Sequence, residues 1–220
     1  MNEQKMQQLL FDPTEYDMDD LFNQFDSSLL HHSRCVAVNS AFMTEYADPM
    51  LFNYGVYNPT RLSWIAYMGG FYHDVGKCIL SLPTDKTKDQ RHPGIGAEFL
   101  QENKTILFNN EAEAQMVIHM ALYHHERPDG KGFPYRLRSK HIPLAAQICA
   151  VADWLDQRLK KRPDAKIADI AKGIKKRSGI NFGEMAVECL EKALPQIIAQ
   201  YEKWHRMETQ DSLNKKEGVV

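Results

Sequence analysis

No segment of the 220-residue chain sustains the apolar–polar alternation of a half-buried strand, whereas helix-start signals recur along it. A chain of that kind must bury its apolar residues between helices, so an all-α bundle is expected. Asp12-Pro13 and Asn58-Pro59 each place a capping side chain before a proline at the first helical position, where the missing N–H costs nothing. The second pair opens a helix expected to reach about Tyr72. Another helix is expected from near Asp26 to the breaker Asp48-Pro49. EAEAQMVIHMALYHH puts Val117, Met120 and Ala121 on one apolar face, with His124 next on it. Pro143 opens a helix through IPLAAQICAVADWLD, and Asp164 is expected to cap the one after it. The last long helix should cover Gly183 to about Trp204, with Pro195 as a kink, and Glu208 to Val220 should fray. Pro83 to Gln90 reads as a polar loop, and Arg127 to Arg136, with two prolines and two glycines, as an irregular one.

Composition narrows the function classes. Lys and Arg sum to 27 against 29 for Asp and Glu, so no global basic field exists to hold long nucleic acid. The longest apolar stretch, Leu62 to Tyr72, is too short to span a bilayer, and the N-terminus has no signal-peptide core, so a cytoplasmic protein without a membrane partner is expected. Cys35, Cys78, Cys149 and Cys189 form no CxxC pair and read as free thiols. The acidic cluster Asp12, Glu15, Asp17, Asp19 and Asp20 reads as a solvated helix start, with an acidic docking surface as the alternative.

Five places carry metal-ligand side chains: His32, His73-Asp74, His92, His124-His125 and Asp153. Each falls on an expected helix or at its end, and a helical bundle can bring such groups to one internal point. The two adjacent pairs lie near helix C-termini, whose partial negative charge favours a cation. His31, His119, His141 and His205 read as ordinary helix histidines. Imidazole and carboxylate ligands without thiolate suit iron, manganese, nickel or zinc.

HDVGK at 73–77, HPGIGAEFL at 92–100, HHERPDGKGFP at 124–134 and IPLAAQICAVADWLD at 142–156 occur in that order. Together they resemble the HD-GYP family, a branch of the HD-domain metal-dependent phosphohydrolases, from about Leu29 to about Leu190. The resemblance implies an all-helical HD-domain bundle with a dinuclear metal site in its core. It implies hydrolysis of a cyclic dinucleotide, cyclic di-GMP first, to the linear dinucleotide or on to GMP. By motif position, His32, His73, Asp74 and Asp153 would hold one metal and Asp74, His92, His124 and His125 the second, with Asp74 as the bridge. The two divalent ions would be iron or manganese, with nickel or zinc as alternatives. Such a pair lowers the pKa of a bridging water and clamps the phosphodiester. Lys77 matches the HDxxK lysine and would contact the scissile phosphate, Asp74 and Lys77 thus being the catalytic pair; a surface lysine at a helix end is the other reading. Arg162, in KRPD, resembles the substrate-contacting arginine of an RPY pattern, against the alternative of a solvated arginine in a basic run. Arg127 and Asp129 would pair to fix their loop.

The chain departs from the family pattern in four places. Gly132-Phe133-Pro134 replaces GYP, so Phe133 keeps a substrate-stacking face but loses the hydroxyl; Asp164 stands where RPY has tyrosine. The stretch between His73 and His92 is short, and Ser28 stands one turn before His32, where three-metal members carry glutamate. Two metals are therefore expected. No sensory domain is expected ahead of Leu29, and the family's GYP loop suggests a GGDEF-domain cyclase as partner for residues 132–134. The organisation expected is an N-terminal helical extension over 1–28, an HD-GYP-like domain over 29–207 and a flexible tail over 208–220. Two other functions stay open: a degraded member that binds nucleotide or cyclase without turnover, and an HD phosphohydrolase acting on another nucleotide phosphate.

Overall fold

The structure, a computed structural model, describes residues 27–79 and 89–216. The Asp12-Pro13 start, the acidic cluster, residue Asp26 and most of the 83–90 loop lie outside them. Among the described residues there are nine α-helices and no strand. The helices are α1 Ser27–Thr44, α2 Pro59–Tyr72, α3 Val75–Ile79, α4 His92–Glu102, α5 Lys104–Leu107, α6 Glu111–Tyr123, α7 Leu144–Lys161, α8 Ile167–Lys175 and α9 Glu184–Lys216.

α1 is the central rod. Cys35 to Thr44 are buried on every side, which is what an almost wholly apolar and small-residue helix requires. α2 and α7 pack along it, α6 closes against α2, α4 and α7, and α9 lies across α1 and α7. Gly70 lets α2 approach closely, because a Cβ there would stand 2.8 Å from the Ala37 Cα and the Val36 carbonyl oxygen. Gly76 serves α3 in the same way, since its Cβ would sit 2.1 Å from the His92 carbonyl oxygen. Both glycines lie within three residues of His73 or Asp74, so tight backbone contact sets where those side chains start.

Asn58 caps α2 as expected, accepting from the Arg61 N–H, and Pro59 is the first helical residue. Asn110 does the same for α6 through the Glu113 N–H. α7 begins directly after Pro143. Asp164 does not cap α8. The Ala165 N–H donates to the Arg162 carbonyl at 3.0 Å, closing a turn with Pro163 at its favoured second position and Asp164 third. Helix starts only at Ile167, and Lys166 occupies the cap position without a side-chain bond. α9 runs through Pro195 and continues to Lys216 instead of ending near Trp204. The stretch after Trp204 is polar, but Glu, Lys, Arg, Met and Gln are good helix formers, and polarity alone does not stop a helix. None of the four cysteines forms a disulfide.

Candidate metal centre

Helix ends place the ligand-type side chains. His73 follows the last residue of α2, Asp74 lies in the turn to α3, His92 begins α4, and His124 and His125 follow the end of α6. His32 comes from the first turns of α1 and Asp153 from the middle of α7. All seven come together. His32, His73 and Asp153 form one cluster and Asp74, His92, His124 and His125 another, each with one donor atom per residue within 4.8 Å of the rest.

Asp74 joins the two. Its Oδ2 lies 3.3 Å from His73 Nε2 and 3.7 Å from His32 Nε2, while its Oδ1 lies 3.1 Å from His92 Nε2 and 3.7 Å from His124 Nε2. One carboxylate thus offers one oxygen to each cluster. Asp153 Oδ1 adds contacts of 3.0 Å to His32 Nε2 and 3.7 Å to His73 Nε2, and Gln157 donates to both Asp153 oxygens.

Backbone carbonyls choose the histidine tautomers. His73 Nδ1 donates to the Gly70 carbonyl at 2.7 Å, and His124 Nδ1 donates to that of Ala121 at 2.8 Å. Each bond turns the Nε2 inward toward the ligand clusters, the orientation that metal-binding histidines use. His31, the neighbouring histidine read as an ordinary one, is exposed, whereas His32 is buried.

The electrostatics of the two clusters differ. Burial favours a neutral Asp74, yet His73 and Lys77 hold its carboxyl well below the usual carboxylate range. Burial likewise opposes the Asp153 charge, and hydrogen bonds from His32 and His73 overcome it. Burial would depress His73, but Asp74 and Asp153 lift it to about 10. His32 is also raised, because Asp153 and Asp156 outweigh its burial. In the second cluster burial wins: His124 is held well below its ordinary value, and His125 is pushed down to about 4. Those two rings are neutral and ready to donate lone pairs. Buried carboxylates on one side demand positive charge, and neutral imidazoles on the other accept a Lewis acid. His73 Nε2 and Asp74 Oδ1 are buried and face other ligand-type side chains at 3.1 to 3.7 Å, a crowding of polar groups that a cation between them would relieve. The donor set fits divalent metal ions. Burial, with Asp153 and Asp74 nearby, keeps Cys149 a neutral thiol, so nitrogen and oxygen remain the donors.

Lys77 sits at the partly exposed edge, its Nζ 2.5 Å from Asp74 Oδ2. The Phe133 ring lies along His125 at 4.5 Å between centroids. Arg162 is exposed at the end of α7, nine residues after Asp153. At 1.5 Å per helical residue that is roughly 13 Å along the axis. Arg127 grips Asp129 through two hydrogen bonds of 3.1 and 2.6 Å, as expected for a loop clamp.

Sequence reading missed Glu126, Asp156 and Tyr201. Buried Glu126 accepts from the Tyr135 and Leu137 N–H groups at 2.6 and 2.8 Å, which ties the 132–134 loop beside His125. Asp156 accepts from His32 Nδ1 at 2.6 Å. Its spacing of three from Asp153 on one helix was the available signal.

A bundle of helices with two buried, aspartate-linked clusters of histidine and carboxylate defines a class of helical metalloproteins, and the family follows from the comparisons. Residues 29–158 match the family model of the HD domain, and the chain belongs to that family. Two of its relatives are named as cyclic di-GMP phosphodiesterases. The chain is 32% identical over 133 residues to a cyclic di-GMP phosphodiesterase of Pseudomonas aeruginosa, across 56% of this chain and 30% of that protein. It is 38% identical over 109 residues to the cyclic di-GMP phosphodiesterase response regulator RpfG of Xanthomonas campestris, across 45% of this chain and 27% of that protein. The match therefore spans under a third of the length of either relative. Among solved structures, an HDG"Y"P protein from Bdellovibrio bacteriovorus has a TM-score of 0.55 at 20% identity, across 87% of this chain and 61% of that one, a likeness of fold. Among the described residues no helix is long and apolar enough to cross a membrane.

Proposed function

We propose that this protein is a two-metal phosphodiesterase that opens a cyclic dinucleotide, cyclic di-GMP first, to the linear dinucleotide, in the cytoplasm of a bacterial cell. The observation that carries this reading is the bridging position of Asp74, with one oxygen toward each ligand cluster. The names of the relatives support the substrate class. His32, His73, Asp74 and Asp153 would hold one ion and Asp74, His92, His124 and His125 the other. Iron or manganese fits the donors, with nickel or zinc as alternatives. When bound, such a pair supplies hydroxide at neutral pH and neutralises charge on a phosphodiester.

The rest falls to the chain's own side chains. Lys77 reaches from the open edge to Asp74, and its ammonium would hold a non-bridging oxygen of the scissile phosphate. Phe133 presents a ring beside His125 for a base to stack on, without the hydroxyl of a tyrosine. Arg162, farther along α7, is suited to the second phosphate or a guanine edge. The loop holding residues 132–134, braced by Glu126, is the surface offered to a GGDEF-domain cyclase.

Lys77→Ala is expected to lower turnover of cyclic di-GMP by about 10²-fold. Arg162→Ala is expected to raise KM by roughly tenfold, the effect of losing one charged contact. Neither should change metal stoichiometry, read by elemental analysis. Parent-like turnover in both variants removes the proposed cleft. Two metals per chain are expected in total. Ser28 offers a neutral hydroxyl, and it accepts a hydrogen bond from the Lys160 ammonium, a cation standing where a third ion would need an anionic ligand. Elemental analysis of anaerobically prepared protein decides this, and three well-occupied ions would contradict it.

A degraded member that binds nucleotide without cleaving it is the second reading, favoured by Phe133 in the tyrosine position of GYP and by the short segment between His73 and His92. The assay that separates them incubates anaerobically purified protein, with iron or manganese, with cyclic di-GMP and with cyclic di-AMP. Appearance of the linear dinucleotide supports the enzyme. Binding without product supports the module, and neither with these dinucleotides returns the site to another nucleotide phosphate.

A further inference from the structure

Behind the ligand clusters, the structure carries a polar relay that leaves the segment matched by the HD family. Asp156 is buried, and both of its oxygens are engaged. Oδ2 accepts from His32 Nδ1 at 2.6 Å, and Oδ1 accepts from the Tyr201 hydroxyl at 3.1 Å. That hydroxyl in turn accepts from Asn39 Nδ2 at 3.1 Å. Asn39 and His32 are seven residues apart on α1, two turns along one face. Asp153 and Asp156 come from α7, and Tyr201 comes from α9, well beyond residue 158.

We propose that Asp156, held by Tyr201 of α9, is the positioning residue for His32, so that retention of the ion held by His32, His73, Asp74 and Asp153 depends on the C-terminal helix. This rests on the two-metal reading above. His32 needs such a device more than its neighbours do. His73 and His124 have rings fixed by carbonyls of their own helices, three residues away. His32 lies near the start of α1, and its ring is oriented by a carboxylate from another helix, 124 residues away in sequence. The hydrogen bond on Nδ1 fixes the tautomer that leaves Nε2 to face Asp153 and Asp74. Asp156 can hold that ring only while its own plane is set, and the Tyr201 hydroxyl, itself fixed by Asn39, sets it. The relay thus joins α1, α7 and α9 at one histidine.

The test uses the full chain, stripped with chelator and titrated with manganese(II) chloride in a calorimeter. The parent should bind two ions. Asp156→Ala should weaken one of them by 10- to 100-fold, the usual effect of removing such an outer carboxylate, and leave the other unchanged. Asp156→Asn, which still accepts from Nδ1, should recover part of the loss. Tyr201→Phe keeps the ring and removes only the hydroxyl, and it should weaken the same ion by about threefold to tenfold. A general loss of structure would not spare one ion or be rescued by asparagine. Parent-like binding of both ions in Asp156→Ala, or equal weakening of both, overturns the relay. Should Asp156→Ala fail to fold, Asp156→Asn and Tyr201→Phe decide, and parent-like affinity in both overturns it. A parent that binds no manganese overturns the relay together with the two-metal reading. A parent that binds two ions but opens no cyclic dinucleotide overturns the substrate reading alone.

Discussion

Asp74→Ala is expected to lose most of its bound metal and all detectable phosphodiesterase activity while keeping its helical circular dichroism. The reason is geometric: among the described residues, Asp74 places one oxygen 3.3 Å from His73 Nε2 and the other 3.1 Å from His92 Nε2. Losing an outer partner of a metal ligand costs about 10- to 100-fold in affinity, so losing a shared ligand should cost more, at both ions. The fold should persist, because α1, α2, α6 and α7 are held by a continuous apolar core that includes Val36, Ile65, Met120 and Ile148. Removing a buried carboxylate also removes its desolvation penalty. Full metal content in this variant would take the bridge out of the account.

Metal uptake should release protons, and affinity should climb steeply with pH. In the metal-free protein Asp74 and Asp153 raise His73 from its ordinary 6.5 to about 10, so it carries a proton at pH 7 that a metal must displace. His32 is shifted in the same direction by Asp153 and Asp156. Each displaced proton steepens affinity by about tenfold per pH unit. The sign for stability follows from the raised pKa. The protonated His73 stabilises the metal-free fold fully below about 6.5, and that contribution is lost as pH rises through about 10. It amounts to a few kcal/mol on the order-of-magnitude scale of such shifts. Metal-free protein should therefore melt at a lower temperature at pH 9 than at pH 6.5, and bound metal should reduce the difference. Calorimetric titration with manganese in two buffers of different ionisation enthalpy counts the protons. At least one per chain is expected at pH 7, and none would contradict the charge assignment.

What the sequence reveals and hides here follows from how far apart the partners lie. The seven candidate ligand positions were legible because each sits in a local pattern at a helix end or on a helix face, where spacing and capping signals act over a few residues. Asn58-Pro59 and Pro143 marked two helix starts for the same local reason. His32 was chosen over His31 by motif position, and its burial, set by which face of α1 meets α7, agrees with that choice. Asp164 misled, because a side chain suited to capping also suits a proline turn, and the turn won. Asp156 and Tyr201 were hidden more deeply. Their bond joins residues 45 apart in sequence, and its effect reaches His32 on a third helix. Glu126 was hidden likewise, since its partners are backbone N–H groups of a loop whose path is not written in any periodicity.

Two ions are expected to act together across Asp74. This is tested most directly by adding manganese stepwise to chelated protein under anaerobic conditions and following the rate of cyclic di-GMP opening. No turnover is expected without metal, the rate should lag behind the first equivalent, and it should reach a plateau at two equivalents per chain. Turnover in fully chelated protein, or a linear rise that saturates at one equivalent, would contradict it.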